Sequence, residues 1–141
     1  MEELYRLILG QPNRITPPLT IEEICAFAQV YFRKSFLETP RGTYAPTLEF
    51  IHWFIVLWTN PSIPRQYADN LKRMLAELYR SGTRVTRDRV VYGLLEHLCE
   101  NPKVARYFSD WKDDPDLKTA YTLALEWAEG KGSIGFWPSN S

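Results

Sequence analysis

A chain of 141 residues with equal numbers of acidic and basic side chains is 45% hydrophobic and 14% aromatic. This composition excludes a disordered chain, and no apolar run is long enough to cross a bilayer. The length fits a single domain, 1–141, with its own buried core. No basic leader segment is present, so the expected location is cytoplasmic. Cys25 and Cys99 lie far apart in apolar patterns, which predicts two buried free thiols.

Apolar residues recur with the helical period of 3.6 along nearly the whole chain, so the sequence predicts an all-α fold. A short first helix is expected at residues 2–9, followed by an extended connector at 13–19. A second helix should begin after Thr20, because the Thr20 hydroxyl and the Glu23 carboxylate have the spacing of a capping box. Proline and glycine between 40 and 46 predict the next loop.

The third predicted helix is apolar on every side. It should begin at Thr47 as its cap and run to about residue 58, with His52 as the one interruption in its apolar stretch. A helix without a polar face is buried on several sides. We therefore expect it to be the central core helix, with Trp53, Phe54 and Leu57 deeply buried.

The second half of the chain predicts further helices that make a compact bundle of about six or seven. The fourth should be amphipathic, with basic residues on one face and Leu, Met and Tyr on the other. The fourth helix is predicted from Pro64 to Arg80, with Gly82 as a C-terminal glycine. The next two helices should begin at Thr86 and at Asn101. The last helix should run from Asp114 to Glu129 and stop at Gly130. The tail from about 131 should be irregular, with Phe136 and Trp137 able to dock on the body.

The sequence offers no set of residues suited to catalysis. Glu49 and His52 have the Glu-x-x-His spacing of helical di-iron sites, but no second copy of the motif exists. The acidic cluster Asp113, Asp114 and Asp116 surrounds a proline at a helix start, where N-capping explains it. We therefore expect a protein that is not an enzyme and that has no catalytic residues, no metal and no cofactor.

One segment departs from the neutral charge of the chain. Residues 65–89, the basic window, hold seven of the seventeen basic residues and only three acids, which gives the segment a charge of +4. The predicted nucleic-acid-binding residues are Arg65, Lys72, Arg73, Arg80, Arg84, Arg87 and Arg89. Arginine suits bidentate contact with phosphate, and contacts of that kind give affinity without reading base sequence.

Two other interpretations of the basic window remain open. Lysine and arginine often fill a solvated helix face without any partner. The same surface would also suit an acidic protein, which makes the chain a protein–protein interaction adaptor that binds no nucleic acid. The expected function is a non-catalytic subunit that contacts an RNA or DNA backbone together with other protein subunits, without a membrane; the adaptor is the alternative.

A small, neutral, all-helical chain with an arginine-rich helix face and no catalytic residues resembles the small subunits of CRISPR surveillance complexes of the Cascade type. Residues 24–36, the loop at 41–46 and the helix at 49–58 also resemble the C-terminal helical part of the large subunits. The resemblance implies a role in antiviral defence, in which such subunits stack along the assembly. It also implies that the basic face lies against the guide–target duplex or the displaced strand.

Overall fold

The computed structural model describes residues 20–38, 45–131 and 137, and this part of the chain contains six helices and no strand. Helix α1 is Ile21–Glu38, α2 is Ala45–Thr59 and α3 is Gln66–Ser81. Helix α4 has three consecutive parts, α-helical Arg84–Asp88, π-helical Arg89–Leu95 and α-helical Glu96–Leu98. Helix α5 is Pro102–Tyr107, a 3-10 turn follows at Ser109–Asp113, and α6 is Lys118–Lys131. The all-α prediction is confirmed.

Helix α2 lies at the centre of the bundle, where it contacts α1, α3 and the π-helical part of α4. Trp53, Phe54 and Leu57 are each no more than 3% exposed, as predicted. The Phe54 ring packs against other aromatic rings, including Phe108 from the segment after α5. A helix that is apolar all round can bury surface against three neighbours at once, and this explains its central place.

The start of α2 differs from the prediction. The helix begins at Ala45, two residues before Thr47, which is 2% exposed. Thr47 faces Gly93 of α4, where an added Cβ would be only 2.9 Å from the Thr47 methyl carbon. Thr47 is therefore a packing residue inside the helix, and its prediction as the cap was wrong because contact with α4 overrides the capping preference of threonine.

Two of the predicted helix starts are confirmed by their hydrogen bonds. The Thr20 hydroxyl accepts the Glu23 backbone N–H at 3.1 Å, and the Glu23 carboxylate accepts the Thr20 N–H at 3.2 Å. Asn101 caps α5 by accepting the Lys103 N–H through its side-chain oxygen at 2.9 Å. The predicted elements at 2–9 and 13–19 and most of the predicted loop at 40–46 lie outside the described residues, while Ala45 and Pro46 are helical.

Helix α3 has the predicted amphipathic character but different ends. Its buried side chains include Leu71, Met74, Leu75 and Leu78, and it begins at Gln66 after Arg65, not at Pro64. Gly82 follows the helix as predicted, but with φ −80° and ψ 158° it is extended and not in the left-handed conformation that glycines often adopt at helix ends. Glycine is still required there, because a Cβ would overlap the Leu78 carbonyl oxygen.

The last two long helices also begin at residues other than those predicted. Helix α4 begins at Arg84, with Thr83 as its cap, and not at Thr86. Helix α6 begins at Lys118 and continues through Gly130 to Lys131. The Asp114 carboxylate accepts the backbone N–H groups of Asp116 and Leu117, and these bonds form a turn ahead of the helix. Because α6 continues to Lys131, Gly130 lies inside the helix and is not the stop that the sequence predicted.

The C-terminal tail contacts the body through Trp137, whose indole N–H donates to the His97 carbonyl oxygen at 2.9 Å. The same ring lies edge-on to Phe54, with 6.4 Å between ring centres. Docking of the tail is thus confirmed for Trp137, while Phe136 lies outside the described residues. Within the described ranges, no helix combines the length and the apolarity that crossing a bilayer requires.

Candidate functional site

The basic window spans α3 and the first two parts of α4, so its side chains project from two consecutive helices. The sequence predicted that the seven basic residues would form one open cationic surface. Their contacts instead divide them into three groups: cations paired with acids, cations that bond helix carbonyls, and open arginines.

Lys72 and Arg80 are paired with acids that come from far along the chain. The Lys72 ammonium lies 2.5 Å from the Asp110 carboxylate and donates to the Tyr107 carbonyl oxygen at 2.7 Å. Arg80 forms an ion pair with Asp114, and its Nε lies 3.6 Å from the Asp116 carboxylate. Both cations are therefore partly neutralised by the segment between α5 and α6, which is acidic.

The electrostatics of this segment follow from the same contacts. The pKa of Asp114 lies below its ordinary 3.8 despite some burial. The backbone N–H of Asp116 beside the carboxylate lowers it most, and Arg80 and the Leu117 N–H lower it further. Burial raises the pKa of the Tyr107 phenol well above its usual range, and its hydrogen bond to Asp69 adds to the effect. Asp69 is one of the three acids of the basic window itself, and it lies at the same surface as the paired cations.

Arg87 and Arg89 bond to the C-terminal carbonyls of two neighbouring helices. The Arg87 guanidinium donates to the carbonyl oxygens of Tyr79 at 2.9 Å and Arg80 at 3.3 Å, in the last turn of α3. Arg89 is 8% exposed and donates to the Phe36 carbonyl oxygen at 3.1 Å, in the last turn of α1. A cation at a helix C-terminus satisfies unpaired carbonyls and opposes the negative end of the helix dipole.

The remaining three residues, Arg65, Arg73 and Arg84, are the open arginines. All three are exposed, and none of them forms an ion pair with a carboxylate within the part of the chain that the structure describes. The Arg65 guanidinium lies 3.7 Å from the centre of the Trp58 ring. The Arg73 guanidinium donates to the Asn70 side-chain oxygen at 3.2 Å.

A shallow groove of about 400 Å³ runs beside α3 where the paired cations meet their acids. Its charged lining consists of three cations and three acids: Lys72, Arg73, Arg80, Asp69, Asp110 and Asp114. The potential of this groove is therefore mixed in sign, in contrast to the positive surface that the window alone suggests. The net charge of −3 on residues 90–141 is the sequence feature that indicates partners for these cations. A charge count does not say which acid pairs with which cation.

The residues considered for metal binding and catalysis have ordinary structural environments. Glu49 accepts a hydrogen bond from the Tyr31 hydroxyl at 2.5 Å, and His52 is exposed. Among the described residues, no group of His, Cys, Asp and Glu is arranged to hold a metal ion. Cys25 and Cys99 are free and buried, as predicted, and burial raises the pKa of their thiols to about 11 and about 12.

One polar cluster was not anticipated from the sequence. His97 lies between two glutamates on its own helix turn, with Nε2 3.2 Å from Glu96 and Nδ1 3.8 Å from Glu100. All three side chains are largely buried, and both carboxylate oxygens of Glu100 have no hydrogen-bond partner among the described residues. The cluster belongs to the end of α4 and does not adjoin the open arginines in sequence.

Comparison with known proteins gives this chain no relatives. No protein-family model, no curated protein and no solved structure matches it.

Proposed function

We propose that this protein is a non-catalytic helical subunit of a larger assembly and that the open arginines contact a nucleic-acid backbone in it. The observation that carries the proposal is that Arg65, Arg73 and Arg84 keep exposed guanidinium groups, without a carboxylate partner in the described ranges. A CRISPR surveillance complex is the assembly whose small subunits the sequence resembles.

The spacing of the open arginines suits an extended polyanion. Arg65 precedes α3 and Arg84 opens α4, so the three residues span the full length of α3. A helix of 16 residues is about 24 Å long, a length that covers several phosphates of a strand. Arginine contacts to phosphate fix the position of a strand without distinguishing its bases.

The other four basic residues of the window are left out of the proposed contact surface. Lys72 and Arg80 would have to exchange an aspartate for a phosphate, which gains little because one ion pair replaces another. Arg87 and Arg89 bond the ends of α3 and α1, and Arg89 is buried. We assign these four residues to the stability of the fold.

The proposal is tested by nucleic-acid titration of the full chain, or of the assembly that contains it, at several salt concentrations. Three phosphate contacts give log–log salt slopes of about −2.7 for duplex and about −2.1 for single strand. The Arg65/Arg73/Arg84→Ala variant should bind more weakly and lose most of this slope. Unchanged binding by the variant, or binding that ignores salt, would refute the proposal.

A matched control separates these contacts from the loss of positive charge in general. Lys103, Arg106 and Lys118 are also exposed, and they lie on α5 and α6. The Lys103/Arg106/Lys118→Ala variant removes the same number of charges. Its salt slope should differ from that of the wild type by no more than about the amount that one phosphate contact contributes. Equal losses in the two triple variants would mean that only net charge matters.

A second candidate function, the interaction adaptor that binds an acidic protein, would use the same open arginines. Arg65, Arg73 and Arg84 have no carboxylate partner within the described ranges, and a guanidinium pairs with a carboxylate as well as with a phosphate. Polyglutamate serves as a probe of acidic protein surfaces. If polyglutamate binds as tightly as nucleic acid at equal salt, and through the same arginines, the adaptor becomes the better description. Preference for nucleic acid over polyglutamate favours the first proposal.

A further inference from the structure

A second groove, of about 390 Å³, lies between α1, α2 and the start of α3. Its size falls within the range of small-ligand pockets, which starts at about 300 Å³. Most of its lining comes from the first half of α1, the second half of α2 and the first turns of α3. The lining residues that matter here are Glu22, Gln29, Trp53, Gln66, Tyr67 and Asn70.

The chemistry of this groove differs from that of the mixed-sign groove. Three amide side chains, Gln29, Gln66 and Asn70, line it together with the Glu22 carboxylate, and its described lining contains no lysine or arginine. Trp53 also contributes to the lining, and its indole N–H is buried without an acceptor among the described residues. Apart from Glu22, the polar lining is therefore uncharged, and amide side chains can both donate to and accept from a bound ligand.

The groove adjoins one of the open arginines. The Arg73 guanidinium donates to the side-chain oxygen of Asn70, which lines the groove. A strand with a phosphate on Arg73 therefore passes beside the groove. Whatever the strand inserts there must be uncharged, because the groove offers a carboxylate and no cation.

We propose that this groove binds one unpaired nucleobase that carries an exocyclic amino group, as cytosine and adenine do. The Glu22 carboxylate accepts from the amino group, and amide side chains present paired donors and acceptors to the edge of a base. Tyr67 supplies a half-buried aromatic surface of the kind that supports unstacked bases. Uracil and thymine present a carbonyl oxygen where cytosine has its amino group, and a carboxylate repels it. This inference rests on the proposed backbone contact.

The test compares fluorescently labelled oligocytidine and oligouridine of equal length, which differ at the amino position but have the same backbone. At one salt concentration, the wild-type full chain should bind oligocytidine about tenfold more tightly, since base-edge contacts discriminate by about that order. The Gln29→Ala/Gln66→Ala variant, which leaves Asn70 and Arg73 intact, should bind both strands nearly equally, because without the two amides the base is no longer held against the Glu22 carboxylate. Its affinity for oligouridine should stay within about twofold of wild type, since the backbone contacts remain.

Two further variants sharpen the test. Glu22→Gln should reduce the ratio of the two affinities, even though the loss of a negative charge raises both. Thr119→Ala/Thr122→Ala removes two exposed polar side chains from α6 and should leave the ratio unchanged. No preference for oligocytidine in wild type, or a preference that survives in Gln29→Ala/Gln66→Ala, overturns the base-binding proposal. The proposed function stands in that case if salt-dependent binding still requires the open arginines, and both proposals fail if neither strand binds.

Discussion

Helices α2 and α3 are neighbours of nearly equal length, 15 and 16 residues, but they are held in the bundle by different forces. Helix α2 buries apolar side chains against three other helices, and apolar contact needs no particular partner. Helix α3 buries one face, while its charged face depends on specific acids in the segment between α5 and α6. Burial of α2 therefore follows from its own apolar sequence, whereas the charge of α3 at the surface depends on where that segment lies.

The same contrast appears between two arginines of one helix. Arg84 is exposed and has no partner among the described residues, whereas Arg89, five residues later, is buried and bonds the end of α1. Both belong to the same run of positive charge in the sequence. Their different environments show that a charge pattern alone does not separate binding residues from structural ones.

The largest expected effect is at the centre of α2. Trp53→Ala should lower the free energy of unfolding by about 3 to 5 kcal/mol, because it removes a fully buried aromatic side chain. Trp127→Ala is the matched control, since Trp127 is 48% exposed. It should cost roughly a third as much, mainly through its edge-on contact with Tyr92. Urea denaturation of the two variants measures the difference, and similar losses would contradict the central place of α2.

The next largest effect separates the two arginines of α4. Arg89→Ala should destabilise the protein by about 2 to 3 kcal/mol, because the Phe36 carbonyl loses a charged donor in a buried place. Arg84→Ala should change stability by less than about 0.5 kcal/mol. Nucleic-acid binding, corrected for the folded fraction of each variant, should be weakened more by Arg84→Ala than by Arg89→Ala. A stable Arg89→Ala protein would mean that Arg89 is not a structural residue.

The smallest effect concerns the acids that pair with α3. The pKa of Asp114 is lowered by the Asp116 backbone N–H, Arg80 and the Leu117 N–H, so its ionised form is favoured in the folded state. Its contribution to stability is therefore complete above its ordinary pKa of 3.8 and is lost as the pH falls through the lowered value.

The Asp114→Asn variant keeps a side-chain acceptor for the turn but cannot pair with Arg80 as a charge. The stability difference between wild type and this variant should be constant above about pH 5 and should shrink as the pH falls further. Denaturation curves at a series of pH values measure it. A difference that stays constant down to acid pH would show that the charge of Asp114 contributes nothing.

Local patterns in the sequence predicted much of the fold. The capping box at Thr20 and Glu23, the apolar face of α3 and the buried residues of α2 follow from residue patterns that span only a few turns of helix. The errors lie where a distant segment takes part. Thr47 packs on α4, and Asp114, which was predicted to start the last helix, pairs with Arg80 of α3.

The sequence by itself determined that the chain is all-helical, which helix is central and which faces are apolar, because these follow from periodicity and from the non-directional hydrophobic effect. Only the tertiary structure decided which cations of the basic window stay open. The partners of Lys72 and Arg80 lie 38 and 34 residues away in the chain. An ion pair needs its partner within a few ångströms, and no local pattern records which distant residue the fold brings that close.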